Sequence, residues 1–415
     1  MASTLHDARG FAVSGATGKA LELYEQALES LWLQRGDPLA LARAAQAAAP
    51  GFVAAHHLEA SLLLASRDVR DYRRAAGVLA CADALSCNRR EREHAGALHA
   101  AADGDYARAV DLYEDLLEEH PWDIVALAQA QTYDYFLGRP GTQCARTSRA
   151  VRHWSRGLPG YHAVLAMHAF ALEECGDYER GEEAALKAIE LEPLDARAHH
   201  ALAHVFEMQG RAAEGIRWLG ARSAQWRDAG ATATHLWWHV SLFHQQLGRA
   251  DLALAVYDGR IASRRGLSAL IDASALLWRL MLDGADVSEQ LDALAQAWAP
   301  YAEDAHCAFN DLHAMFAFAG ARRWDLAKRL VAAQERRIAG AWTTNHDMTR
   351  LVGLPACRAI EAYGRGDYAR VEALLRALPP VVHRIGGSHA QRDILLLTRA
   401  AARAESRKAP LRKAA

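Results

Sequence analysis

The chain has 415 residues, 51% of them hydrophobic and 24% charged, and a formal net charge of −2. That supports a large core, but it is too long for one simple compact domain unless the fold grows by repetition. The near-neutral balance excludes a broad basic footprint for nucleic acid or an anionic membrane, and no apolar run is long enough for a membrane span.

Alanine, leucine, arginine and glutamate dominate and there are only 11 prolines, which favours helix over strand. The first thirty or so residues lack a basic start followed by an apolar core, so no signal peptide is expected. Lys19 to Trp32 is amphipathic, with Leu21, Tyr24, Ala27, Leu28 and Leu31 on one side, and reads as a helix. Gly36-Asp-Pro38 opens a second helix to about Ala49. Phe52 to Ala65 and Tyr72 to Ala84 make a hairpin. Residues 1–90 are thus expected to be divergent N-terminal capping repeats.

A regular pattern then begins. Gly104-Asp-Tyr106, Gly176-Asp-Tyr178 and Gly366-Asp-Tyr368 each end one helix, turn, and start another on an aromatic; Pro121, Pro193 and Pro379 follow the second helices. The turn glycines Gly104, Gly138, Gly176, Gly210, Gly248, Gly284 and Gly320 are spaced by 34, 38, 34, 38, 36 and 36 residues. Gly366 follows after 46, which predicts a longer loop around Gly340 to Arg350. A period near 34 with Gly-x-Tyr and a closing proline is the tetratricopeptide signature. The repeats are expected over 91–380. A capping helix over 381–405 opens at Ser388 and Gln391, which have capping-box spacing, and 406–415 is expected to be a basic disordered tail. The fold expected is an all-α, right-handed α-solenoid of helical hairpins, a single body over 1–405, curled around a central concave pocket.

In such a hairpin the first helix lines the concave face. Positions 13, 10, 6 and 3 before the turn glycine form one stripe of period 3.6. The repeat ending at Gly210 offers Arg197, His200, His204 and Glu207. The next offers His235, Trp238, Leu242 and Gln245, and the one after Ile271, Ser274, Trp278 and Met281. The preceding repeat offers Ala163, Ala166, Phe170 and Glu173. Aromatic walls around a few convergent polar groups describe a small-molecule pocket. Most of the 20 histidines read as ordinary core or surface residues. The pairs His200/His204 and His235/His239 stand out because they recur at i,i+4 on successive helices, with Asn310 and His313 further on. Asp272 and Arg279 sit seven apart in an apolar helix, and pairing between repeats within the chain is the simplest role for each. His389 and Arg392 lie at a helix N-terminus, where free N–H groups favour an anion. Two histidine pairs could hold a metal, but His-Glu-x-x-His is missing and the pairs are out of phase, so no metal or other cofactor is assigned. The six cysteines (Cys81, Cys87, Cys144, Cys175, Cys307 and Cys357) form no CxxC pair. That fits a reducing, cytoplasmic setting rather than a disulfide framework. No phosphate loop, nucleophile elbow or Cys–His spacing nominates a covalent nucleophile.

Four segments carry a resemblance. His200-x-x-Ala203-His204-x-x-Glu207-Met208-x-Gly210-Arg211, Trp238-His239-x-Ser-Leu242-Phe243-His244, Ser274-x-Leu-Leu277-Trp278-Arg279-Leu280 and Gly386-Gly-Ser-His-Ala-Gln-Arg-Asp393 together resemble the tetratricopeptide repeat protein thirty-eight family, over nearly the whole chain. The opening fits too, with Gly36-Asp-Pro38 and His56. The resemblance implies a curled helical solenoid and carries over no reaction.

The function expected is binding of a small polar or anionic molecule in the concave pocket. Arg197 and His235 would offer charge or hydrogen bonds, with His239, Asp272 and Arg279 beside them. His200 and His204 would orient the ligand, and Glu207 or Glu173 would handle a proton. Phe170, Trp238 and Trp278 would form walls. If a reaction follows, hydrolase or lyase chemistry by His204, Glu207 and His200, without a covalent nucleophile, fits these residues. The rival is a non-catalytic scaffold that holds a peptide or partner protein on the concave face, the usual work of this repeat class.

Overall fold

A computed structural model of the chain describes residues 5–413. Apart from a small antiparallel pair, β1 (Leu5–His6) and β2 (Ala12–Val13), with Leu5 opposite Val13, the regular elements among these residues are helical. The chain forms two compact units. The first holds residues through Tyr135, Arg139–Gln209 and Trp218–Ala233; the second holds Phe136–Gly138, Gly210–Arg217 and residues from Thr234 onward.

In chain order the helices are α1 (Gly18–Leu33), α2 (Pro38–Ala48), α3 (Val53–Ala65), α4 (Val69–Asp83), α5 (Arg89–Ala102), α6 (Tyr106–Glu119), α7 (Ile124–Leu137), α8 (Pro140–His153), α9 (Tyr161–Glu174), α10 (Tyr178–Leu191) and α11 (Ala196–Met208). Then follow α12 (Ala212–Ala221), α13 (Ser223–Trp226), α14 (Gly230–Gln246), α15 (Ala250–Val256), α16 (Leu267–Leu282), α17 (Ser288–Trp298), α18 (Ala308–Gly320), α19 (Trp324–Ala339), α20 (Thr344–Met348), α21 (Leu354–Gly364), α22 (Tyr368–Arg376), α23 (His389–Arg392) and α24 (Ile394–Lys413). The last helix runs into the stretch expected as a tail, whose positions 414 and 415 lie outside the described residues.

In the first unit, successive helices pair into hairpins, and the first helices of neighbouring hairpins pack on one another, α3 on α5 and α9 on α11. Local chemistry sets the ends. Asp37 accepts the N–H of Ala40 ahead of Pro38, and Asn88 with Glu91 closes a capping box on α5. Aromatics after each turn join one repeat to the next. Tyr106 and Tyr113 stack on Tyr133 at 5.3 and 6.5 Å, and the Tyr72 and Tyr106 hydroxyls meet at 2.7 Å. Burying each such ring contributes roughly 1.5–3 kcal/mol. Gly181 lets α10 approach α9, since a Cβ there would lie 3.2 Å from the Ala169 carbonyl. The unit also closes on itself, because α1 packs against α11. Arg35 donates to the Gln225 carbonyl at 2.6 Å, and Thr232 donates to Gln34 at 3.0 Å.

The second unit is built likewise, with α16 on α18 and α18 on α21. Its last helix returns to α16, where Trp278 Nε1 donates to Thr398 Oγ1 at 2.9 Å. Two expectations are adjusted here. Gly104, Gly138, Gly176, Gly210, Gly248, Gly284 and Gly366 take the left-handed conformation their turns require, but Gly320 does not. It ends α18 in close contact with Leu291, and Arg322 supplies the left-handed residue at φ 53°. The interval of 46 is also mostly not loop. After 340–343 the chain enters α20, passes a π-helical turn at Thr349–Gly353 and continues into α21, so much of the extra length extends a helix.

Candidate functional site

In the first unit the site is built on α9 and α11. Asp195, fully buried, caps α11 by accepting the N–H groups of Arg197 at 3.0 Å and Ala198 at 3.2 Å. It also pairs with His162 Nδ1 of α9 at 2.7 Å, which sets the register of the two helices. One turn on, the Arg197 guanidinium lies 5.9 Å from the Trp32 ring centre. Arg197 keeps part of its surface accessible, yet protein surrounds it closely enough that desolvation lowers its pKa, with Asp195 opposing.

The next two turns carry the histidines. His200 stacks on Phe170 at 5.7 Å, and the Phe170 ring meets His204 edge-on at 5.3 Å. His204, fully buried, has its Nε2 2.9 Å from His200 Nε2 and its Nδ1 3.6 Å from Glu173 Oε2. Glu173, Glu174 and Glu207 are all buried. One ligand atom each from Glu173, Glu174 and His204 lies within 4.8 Å of the others. The negative field of the two adjacent glutamates reaches their neighbours. The Cys175 thiol is pushed up to about 11, first by burial, then by Cys144 and the two glutamates. Tyr178 is raised by burial and the same pair. Here the first unit places an accessible cation, an imidazole pair and a buried carboxylate pair along about three helical turns. Such a set can bind an anion, relay a proton or hold a cation.

In the second unit, His235 Nδ1 pairs with Asp272 Oδ1 at 2.7 Å and stacks on Trp238 at 4.9 Å. His239 meets the His235 ring edge-on at 5.0 Å; burial, followed by His235 and Arg279, holds its pKa well below the usual histidine range. Arg279 lies 5.6 Å from the Trp238 ring centre and donates to the carbonyls of Ala275 at 3.1 Å and Ala390 at 2.7 Å, and to the Asp393 carboxylate. Asp272 and Arg279 therefore pair with His235 and Asp393 rather than with each other. Trp278 packs among Phe316 and Tyr363 at 5.2 and 5.5 Å and reads as core. Asn310 is buried on the first turn of α18, and His313 pairs through Nδ1 with the Phe309 carbonyl at 2.7 Å. On α23, His389 is exposed, and Arg392 donates to the Gly387 carbonyl beside the Ser388–Gln391 capping box.

Sequence reasoning passed over Glu174, one residue off the stripe, as well as Asp195 and Asp311. Asp195 had a signal, since an aspartate just ahead of an apolar-periodic run marks an N-cap. Asp311 is buried on α18, and Gln334 donates to it at 3.2 Å. Burial, only partly offset by that bond, pushes its carboxyl up to about 7, with Asp304 adding to the rise. No known protein-family model matches the chain. Among the described residues, no helix is long and apolar enough to cross a membrane.

Proposed function

We propose that the chain binds a small polar or anionic molecule at the inner face of its helical repeats, with Arg197 as the charged contact. The observation that carries this reading is the gradient of access along α11. Arg197 and His200 remain partly accessible, whereas His204 is fully buried and Glu207 is 9% exposed. A small molecule can reach side chains this little exposed, while a peptide or partner protein needs an open groove. Chemistry at this site would be acid–base hydrolysis or elimination, with His204 and His200 moving the proton and Glu207 or Glu173 holding it. The spacing and the left-handed turn glycines support repeats of the tetratricopeptide type, and the four quoted segments support a place near the tetratricopeptide repeat protein thirty-eight family. Six free cysteines support work in a reducing compartment such as the cytoplasm.

The test compares native and denaturing mass spectra of the purified protein, then screens small carboxylates and phosphates by calorimetry. The expected result is a retained mass of metabolite size or saturable binding of an anion, lost in Arg197→Met and His204→Ala variants of unchanged helicity. A clean mass with no saturable anion overturns the reading and favours the scaffold alternative.

A further inference from the structure

We infer that Glu173, Glu174 and His204 form a binding site for one divalent first-row transition-metal ion, of the manganese(II), iron(II) or zinc(II) class. The argument begins with a distance. His204 Nδ1 and Glu173 Oε2 are 3.6 Å apart, too far for a hydrogen bond. Two donors each about 2.1 Å from one ion, at a tetrahedral angle, lie about 3.4 Å apart. The Glu174 carboxylate completes a triangle of ligand atoms with no side longer than 4.8 Å. Changes in the glutamate χ angles bring all three atoms to bonding distance.

The second argument is the other face of the imidazole. A metal-bound histidine uses one nitrogen for the ion and gives the N–H of the other to a fixed acceptor, which sets its tautomer and orientation. His204 can take this arrangement: its Nδ1 lies toward Glu173, and its Nε2 is 2.9 Å from His200 Nε2, which accepts the N–H in the matching tautomer. The Phe170 ring, against both imidazoles, keeps their planes nearly perpendicular, at 90°. The third argument is ligand type. One imidazole with two carboxylates suits manganese, iron and zinc better than the soft, thiolate-preferring ions. This ligand set differs from the paired histidines with Glu207 weighed from the sequence, because Glu174 falls outside the inward stripe. The ion binds here whether or not an anion sits at Arg197.

The full chain, stripped with a chelator and dialysed, is titrated with manganese(II) and with zinc(II) by calorimetry, with elemental analysis for stoichiometry. One ion per chain is expected. Glu173→Gln with Glu174→Gln, and separately His204→Ala, should weaken binding at least a hundredfold. His200→Ala, which removes the partner of His204 Nε2, should weaken it about 10–100-fold. Because these variants could lose structure, the wild-type manganese complex is also examined by pulsed electron paramagnetic resonance, which counts directly bound imidazole nitrogens. A single nitrogen is expected. No stoichiometric binding by the wild type, binding unchanged when both glutamates are replaced in a helical protein, or two or more bound imidazoles would each overturn the assignment. Since no anion is present, failure here leaves the anion-binding reading untouched, and success does not depend on it.

Discussion

Replacing Asp311 with asparagine should make the second unit more stable above neutral pH, not less. The carboxyl is buried and accepts a hydrogen bond from Gln334, and burial pushes it up to about 7 from 3.8. The folded state therefore keeps a proton that the unfolded chain releases near pH 4. Stability from this group is fully present below the unfolded value and is lost as pH rises through the folded one. At about 1.4 kcal/mol for each pH unit across that interval, the loss is roughly 4 kcal/mol by pH 8. Asparagine has nearly the same shape and never ionises. Its carbonyl can accept the Gln334 N–H, and its amide can stand where the protonated oxygen donates. The assay is thermal melting of wild type and Asp311→Asn at pH 5, 6, 7 and 8. Hydrogen exchange of α18 and α19 serves as a local readout, because stacked repeats need not unfold as one. The variant should melt several degrees higher at pH 8, and the difference should shrink steadily toward pH 5. Parallel pH profiles, or a variant weaker at pH 8 than at pH 5 relative to wild type, would refute the reasoning.

Two other substitutions probe how the second unit is held. Arg279→Met keeps an apolar stem against Trp238 but leaves the Ala390 carbonyl unmatched. It should cost about 2–3 kcal/mol and, by hydrogen exchange, expose α23 and the first turn of α24 before the rest. Gly366→Ala and Gly387→Ala form a contrast. Both positions have φ near 80°, at 77° and 79°, but an added methyl at Gly366 meets nothing, whereas at Gly387 it lies 2.4 Å from the Phe309 ring. Calorimetric melting should show a loss of about 1–2 kcal/mol at Gly366, and at Gly387 an additional 1–3 kcal/mol or so for overpacking.

The hairpins were legible because their signals are local. Apolar period, turn glycine and capping aspartate all fall within one helix and its ends, and α1 to α4 match the expected spans to within three residues. Gly320 misled because its smallness serves a contact with Leu291 distant in the chain, and no local pattern separates that use from a left-handed turn. The extended helix at 344–364 was hidden for a related reason. A π-helical turn breaks the 3.6 period just where the pattern would have joined α20 to α21. At the site, the alignment of His200, His204 and Glu207 on one helix followed from spacing. Glu174 did not, because α9 is buried on nearly every side, Leu172, Glu173 and Glu174 in succession, so a single inward stripe does not describe it. Asp311 gave no signal at all. Its raised pKa comes from the packing of α18 with Gln334 of α19, which no local pattern reports.

The histidine–aspartate bonds between neighbouring helices have a consequence for how such a chain can change length. In the first unit, Asp123 ahead of α7 holds His94 of α5 at 2.7 Å, together with Arg90 at 2.6 Å; two repeats later, Asp195 holds His162 of α9 at 2.7 Å. Removing α7 and α8 alone would bring α5 against α9, whose capping position is Gly160 with φ 94°. His94 and Arg90 would then face a residue with no side chain, and a half-buried cation would lose its counter-charge. Removing α7 through α10 would instead bring α5 against α11 and Asp195, and the clasp could re-form. Gain or loss of copies in this unit should therefore proceed two hairpins at a time. A lineage of such proteins would differ in steps of about 70 residues, twice the repeat period, rather than one period.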